Sequence, residues 1–351
     1  MIEAMWNVIG QDMAVALLKR SIESDRLAHA YLFVGRPHVG KMTLALNLAQ
    51  ALNCEQGRDP CGQCRACIRI AEGKHADVQV IGRLGDTDSG ETSSKKNITI
   101  GQIKELQQSA GLQPYEGKHR VFIIDGAEYL NEESANRLLK TLEEPPAGVL
   151  IILLTVNDLM LPLTVVSRCQ RIELLPVPAY TIEQALVEHW QVETEKARVL
   201  SRICRGAIGW AVSAALDESL IEERALRLAE LQGLADASLE KRFEFAASLA
   251  TKFSKSRDSV NEMLMLWLEW WRDLLLVREK CEQFITNSGQ EPALHRNAEG
   301  YSLTAIRNFI EAIREALGQL ESNANPRLAL EVLMLSIPTK AEERSELPAF
   351  R

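Results

Sequence analysis

Residues 29–43 read HAYLFVGRPHVGKMT, and this stretch decides the fold. The apolar HAYLFVG (29–35) predicts a short buried strand that runs into a glycine-bounded loop. KMTLALNLAQALNC (41–54) follows as a helix with Leu44, Leu48 and Leu52 on one apolar face. A strand, then Gly35-x-x-x-x-Gly40-Lys41, then a helix is the P-loop arrangement. In it, backbone N–H groups cradle phosphate and the lysine reaches the β and γ oxygens. A tight strand-to-helix turn without a ligand can share the spacing, but the flanking elements here are those the mechanism requires. Met42 departs from the pattern, because a Ser or Thr hydroxyl at that place ordinarily binds Mg²⁺. A thioether is a soft, weak acceptor and a poor ligand for a hard cation. The loop therefore reads as a working nucleotide site, a silent one or a chance match.

The segments around it favour a nucleotide-type α/β domain. DVQVIG (77–82), VFIID (121–125), VLIILLTV (149–156) and QRIELL (170–175) read as strands, with helices over 100–111 and 131–144. The second of these helices, NEESANRLLKTLEE, starts at an Asn N-cap and is stopped by Pro145-Pro146. Apolar strands separated by helices predict a parallel sheet covered on both faces. RLGDTDSGETSSKKN (83–97) is polar and rich in Gly, Ser and Thr, so it reads as a loop.

After PVPAY (176–180) the pattern turns helical, with a small segment over 181–218 and a longer one over 220–340. Leu264, Trp267, Trp271, Leu274 and Leu275 fall on one helical face, which predicts a bundle core rather than a ligand cage.

Bulk properties narrow the class. A chain of 351 residues exceeds one ordinary core, so two or three domains are expected. With 46% hydrophobic and 25% charged residues it reads as soluble and globular. A net charge of −8 argues against nonspecific nucleic-acid binding over the whole surface and leaves room for a local patch or a link through partners. MIEAMWNVIGQ lacks the regions of a signal peptide, and MLMLWLEWWRDLLLV (263–277) contains Glu269, Arg272 and Asp273, so no membrane span is expected. Seven cysteines in such a chain point to a reducing compartment, the cytoplasm, and to metal binding rather than disulfides.

Two further motifs carry chemistry. Asp125 ends VFIID, where an acidic residue normally holds Mg²⁺ through water. The next position, where such ATPases place a glutamate base, is Gly126; Glu128 lies near in sequence but need not point to the same place. The losses at Met42 and Gly126 remove separate hydrolytic functions, so slow or absent ATP hydrolysis is expected. Cys54, Cys61, Cys64 and Cys67 form C-x₆-C-x₂-C-x₂-C within CEQGRDPCGQCRAC, with Pro60 and Gly62 supplying turns. Four thiolates so close suit a structural, tetrahedral Zn²⁺; an iron–sulfur cluster and a redox pair are the alternatives. Cys169, Cys204 and Cys281 are isolated and read as small packed hydrophobes. Arg168, in Ser167-Arg168-Cys169, would by itself be a surface or ion-pairing residue.

VIGQ (8–11), HAYLFVG (29–35), the P-loop, the four cysteines, ITIGQIKEL (98–106), LLKTLEEPP (138–146) and SRCQ (167–170) together resemble the delta-prime subunits of the bacterial DNA polymerase III clamp loader, which are AAA+ proteins. NANPRLALEVLML (323–335) resembles that family's C-terminal collar, so the likeness spans nearly the whole chain. It implies an AAA+ α/β P-loop module over 1–177 with a zinc insertion at 54–67, a helical lid over 178–220, an all-α collar over 221–342 and a tail over 343–351. It implies assembly with gamma/tau and delta subunits into a pentamer that places the sliding clamp on primed DNA. The chain would then be a component of a DNA-directed DNA polymerase, itself no polymerase and at most a weak ATPase. It also implies that Arg168 projects into a neighbouring subunit's ATP site, an effect of roughly 10³ to 10⁵ in rate, or about 4 to 7 kcal/mol.

The departures point the same way. A gamma/tau motor would be expected to carry Thr or Ser at position 42, Glu at 126 and an Arg near Trp210 in GAIGWAV (206–212), and none is present. It would also carry a long C-terminal extension. The alternatives are a motor in which Thr43 replaces the lost hydroxyl, and a subunit that binds ATP without hydrolysing it through Gly35, Gly40, Lys41 and Asp125 of a degraded ATP and Mg²⁺ site that also includes Met42 and Thr43. A shift of one helical position turns a side chain by about 100°, which argues against the first.

Overall fold

A computed structural model describes residues 6–83, 97–322 and 324–340. Apart from Arg83 and Asn97, the predicted 83–97 loop lies outside the described residues, as does the 343–351 tail. The chain forms two compact units, residues 1–191 with 204–210, and residues 192–203 with 211–351.

The first unit runs α1 (Asp12–Glu23), β1 (Ala30–Val34), α2 (Lys41–Asn53), α3 (Arg65–Ala71), β2 (Val78–Ile81), α4 (Ile100–Ala110), β3 (Arg120–Asp125), α5 (Glu132–Glu143), β4 (Val149–Thr155), α6 (Leu163–Val166), β5 (Gln170–Glu173) and α7 (Ala179–Trp190). The strands are all parallel, in the order β2-β3-β4-β1-β5. Side chains alternate across the sheet. Tyr31, Phe33, Ile123, Ile152 and Leu154 face Leu18, Leu44 and Leu48 of α1 and α2. Leu32, Phe122, Ile124, Ile151 and Leu153 face Ile103, Leu106, Leu138 and Leu142 of α4 and α5. Burying each such side chain stabilises the fold by about 1.5–3 kcal/mol.

The helices start where local chemistry directs. Thr99 and Gln102 form a reciprocal capping box on α4, and the Asn131 Oδ1 accepts from Ser134 N–H at 2.7 Å to cap α5. Coverage is complete only on the central strands. Edge strand β2 exposes Gln79 and Val80, and β5 is a short strand with Gln170, Arg171 and Glu173 exposed. An edge strand has a neighbour on one side only, so its outer residues can stay polar.

The topology sets the site. Val34 pairs with Thr155 and Asp125 with Leu154, so the carboxyl ends of β1, β4 and β3 lie side by side. Ligands of open α/β sheets bind outside those ends.

The second unit is helical: α8 (Thr194–Ile203), α9 (Ile208–Leu216, its first turn belonging to the first unit), α10 (Ser219–Gly233), α11 (Leu239–Lys255), α12 (Arg257–Arg278), α13 (Glu291–Glu299), α14 (Leu303–Glu321) and α15 (Pro326–Leu335). Leu264, Trp267, Trp271 and Leu274 are buried on α12 as predicted, and Leu275 is half-buried. Phe309 meets both indoles edge-on, with centroids 4.9 and 4.7 Å away. The tryptophans are core residues. Asp273, within that apolar run, is fully buried and accepts from Thr286 N–H, Asn287 N–H and Asn287 Nδ2. Among the described residues no helix is long and apolar enough to cross a membrane.

Candidate phosphate loop, cysteine cluster and surface arginine

The phosphate loop is built from backbone constraints. Gly35 follows β1, and a Cβ there would stand 2.7 Å from the Leu174 carbonyl oxygen, so only glycine fits. Gly40 caps α2 with φ at +107°, the left-handed region that glycine enters without strain. Lys41 Nζ donates to the carbonyls of Gly35 and Arg36 at 2.6 and 2.8 Å, so its ammonium is seated on its own loop. Burial lowers its pKa, against the opposing charges of Glu128 and Asp125.

The structure gives each sequence-predicted residue a place. Met42 is half-buried and packs against the α1–α2 side of the sheet core. Thr43 is exposed on the next helical position. Asp125 ends β3 and is exposed, near enough to Lys41 for its charge to oppose the lowering of the lysine pKa. Gly126 has φ at +73°, and a Cβ on it would come within 2.8 Å of the Tyr129 ring. This position therefore lacks a base and also resists regaining one.

Sequence reasoning named Glu128 as a neighbour of position 126 but missed that it is the acid that interacts with Lys41. After Gly126 the chain makes a 3₁₀ turn over Ala127–Tyr129, and the Glu128 carboxylate lies near enough to Lys41 to interact with its charge. Burial raises the Glu128 pKa, while hydrogen bonds at its own backbone, the Thr155 hydroxyl and the Val156 N–H, together with Lys41, oppose that rise. Its Oε2 is buried with no hydrogen-bond partner among the described residues. A second missed contact comes from GAIGWAV. Gly209 N–H donates to the His38 carbonyl at 2.8 Å, and a Cβ on Gly209 would lie 3.1 Å from that oxygen. His38 itself has φ at +59°. Trp210, half-buried, stands next to this contact.

The cysteine cluster forms as the spacing predicts. Cys54 ends α2, Cys61 and Cys64 lie in the following loop, and Cys67 is on α3. All four are buried, with every Sγ within 4.8 Å of the others. Tetrahedral Zn²⁺ with Zn–S of about 2.3 Å sets sulfur–sulfur edges of about 3.8 Å. The Cys61 and Cys67 sulfurs are 3.9 Å apart. Cys64 N–H points at the Cys61 sulfur (3.3 Å) and Cys67 N–H at the Cys64 sulfur (3.4 Å). Burial works to raise the Cys61 thiol, yet N–H donors from Gln63 and Cys64 bring it down to about 7, whereas burial pushes Cys67 up to about 12. The four residues fit a closed tetrahedral metal site, with no ligand place left for catalysis. Gln50 and Lys118 fix its frame by donating to the carbonyls of Cys67 and Cys54 at 2.9 and 2.8 Å. Cys169 and Cys204 pack as small hydrophobes, their thiols pushed up to about 12 and about 11 by burial.

Arg168 lies just after the four-residue α6. Its guanidinium donates to Glu143 Oε1 at 2.6 Å and to the Thr164 carbonyl at 2.9 Å. The Arg168 side chain is 35% exposed and the Glu143 side chain 51%, so the pair lies at the surface. Glu143 belongs to LLKTLEEPP, which places the two motifs in contact.

The strand order, with β4 inserted between the P-loop strand and the acidic strand, defines a P-loop module of the AAA+ class. Residues 10–178 match the family model described as DNA polymerase III, delta subunit, and residues 222–339 the one described as DNA polymerase III, delta subunit, C terminal. The DNA polymerase III subunit delta' of Bacillus subtilis (strain 168) is 31% identical over 93% of this chain and 96% of its own length. The chain belongs to the DNA polymerase III delta-prime family.

The subunit tau of Bacillus subtilis is 26% identical over 97% of this chain, and that of Escherichia coli 33% identical over 59%. This chain spans 63% and 32% of those tau proteins. A DNA polymerase III gamma subunit-related protein of Thermotoga maritima superposes with a TM-score of 0.42 at 18% identity, over 92% of this chain and 98% of that one.

Proposed function

We propose that this chain is the non-motor delta-prime subunit of a clamp loader, which supplies Arg168 in trans to the ATP site of a neighbouring tau-type subunit. Its partners are tau/gamma and delta subunits, and through them the sliding clamp and primed DNA. The observation that carries the reading is the contrast between two sites. Arg168 sits at the surface in an intact SRC motif, while the chain's own phosphate site lacks the Mg²⁺-binding hydroxyl at Met42 and the base at Gly126. A cation added from outside stabilises charge on the transferring phosphoryl group, which the donor's own site need not do.

Arg168→Ala should leave the assembled complex intact and lower turnover at the completed site by about 10³-fold or more. DNA-stimulated ATPase of the reconstituted complex measures this, and undiminished turnover removes the trans role. The domain plan of this proposal is the AAA+ module over 1–177, the lid over 178–220 and the collar over 221–342, with Zn²⁺ held by Cys54, Cys61, Cys64 and Cys67.

A second reading, nucleotide binding without hydrolysis, is supported by Gly35, Gly40, Lys41 and Asp125 converging at the ends of β1 and β3. Titration of the chain with a fluorescent ATP analogue should then show saturable binding that Lys41→Ala abolishes. No saturation removes this reading. A motor role is disfavoured because Thr43 is exposed and Glu128, rather than a residue at position 126, approaches Lys41.

A further inference from the structure

Glu128 and Thr155 meet at the root of the phosphate loop. Thr155 ends β4 and is 1% exposed, and its carbonyl accepts the Gly35 N–H at 3.1 Å, so it stands against the first residue of the loop. The Glu128 carboxyl is hydrogen-bonded at the Thr155 hydroxyl and the Val156 N–H, which fixes it beside that residue. Its Oε2 is buried with no hydrogen-bond partner among the described residues, so one acceptor in this corner stands unused.

Glu128 also shares its electrostatic surroundings with Lys41, whose Nζ lies 2.6 Å from the Gly35 carbonyl oxygen. An acid and a base within reach of each other favour each other's charged forms. In a working P-loop this ammonium serves both the β and the γ oxygens, and Mg²⁺ bridges the same two phosphates. Here Glu128 and Asp125 already act on the lysine, and position 42 brings no hydroxyl for the metal. A third phosphate at that ammonium would enter a corner already supplied with negative charge.

We propose that Glu128 is a specificity-determining residue of this loop, its carboxylate standing in for a γ-phosphate at Lys41, so that the site takes a nucleoside diphosphate in preference to a triphosphate. The inference rests on the reading of the loop as a nucleotide site without hydrolysis. A diphosphate ends at the β oxygens, which the loop N–H groups and Lys41 serve, and it leaves Glu128 its lysine. A triphosphate brings one more anionic group to the same ammonium. Like charges so close disfavour each other most where water is scarce, and the Glu128 Oε2 is buried.

Titration of the full chain with fluorescent ADP and ATP analogues in the presence of Mg²⁺ tests this. The wild-type chain should bind the ADP analogue about ten-fold or more tightly than the ATP analogue. Equal affinities, or tighter binding of the ATP analogue, overturn the proposal and leave the nucleotide reading in place. Saturation by neither removes that reading and the proposal with it. Unlabelled ADP and ATP should displace the probes in the same order, and a reversed order also overturns the proposal.

Glu128→Gln keeps the size of the side chain and removes its charge, so it should bring the two analogues to within about three-fold of each other. A thermal melt shows that this variant is folded, and the wild-type comparison stands without it. An undiminished preference in the folded variant overturns the assignment to Glu128 and gives the selection to the lost metal ligand at position 42.

Discussion

A side chain at position 126 would enter a backbone with φ at +73° and meet the Tyr129 ring. The left-handed conformation costs an L-residue about 1–2 kcal/mol, and the ring must move as well. Gly126→Glu, which restores the missing base by sequence, should therefore lower stability by about 1–2 kcal/mol and yield no ATPase in the isolated chain. Calorimetry and a phosphate-release assay check the two halves; hydrolysis restored in a chain of wild-type stability contradicts the geometry. The same glycine explains why Glu128 was not legible. Position along the chain says nothing about direction once a left-handed residue and a 3₁₀ turn intervene, and Glu128 lies beyond both while its charge still reaches Lys41. Met42 was legible as a lost ligand but not as what it does, which is to pack against the sheet core beside α1.

Among the elements, the parallel sheet followed from the sequence because each central strand is apolar on both faces and each helix carries its own start signal. The edges followed less well, since a four-residue strand with one neighbour does not need an apolar signature. The segment between α4 and β3 was invisible for a different reason: its anchor is far away in sequence. Asp77, before β2, accepts from the N–H groups of Tyr115, Glu116 and Gly117 and from Arg120 at 2.7–2.9 Å. Burial would raise the Asp77 carboxyl, but these donors outweigh it and hold the pKa at about 2. A carboxylate whose folded pKa lies below its unfolded value stabilises the fold above pH about 4, and that contribution is lost as pH falls towards 2. It amounts to about 2 kcal/mol. Denaturant titration between pH 6 and 2 should show this loss in the wild type. Asp77→Asn should be less stable at pH 6 by about 3 kcal/mol, because Arg120 is left buried without its partner, and should lack the corresponding acid-dependent step. An unchanged acid profile in the variant rules the anchor out.

For the whole molecule, the two units have separate cores, and the cysteine cluster belongs entirely to the first. The loop between Cys54 and Cys61 is tied to the N-terminal segment by Trp6 Nε1 donating to Asp59 at 2.8 Å and Arg58 donating to the Ile22 carbonyl at 3.0 Å. With one Zn²⁺ bound per chain, chelation should lower the unfolding temperature of the first unit and raise hydrogen exchange over 6–25, leaving the α10–α15 helices unaffected. Scanning calorimetry with and without chelator, alongside elemental analysis, measures this. A chain free of metal, or a chelator effect confined to the second unit, contradicts the assignment.

The contact between Arg168 and Glu143 has an electrostatic consequence for assembly. The guanidinium already has an anionic partner, so handing it to a neighbour's phosphates is an exchange of ion pairs and not the creation of one. Glu143 returns to water, half of it being there already. Screening by salt weakens the pair lost and the pair gained together, so this arginine should contribute little to the ionic-strength dependence of assembly while contributing fully to turnover.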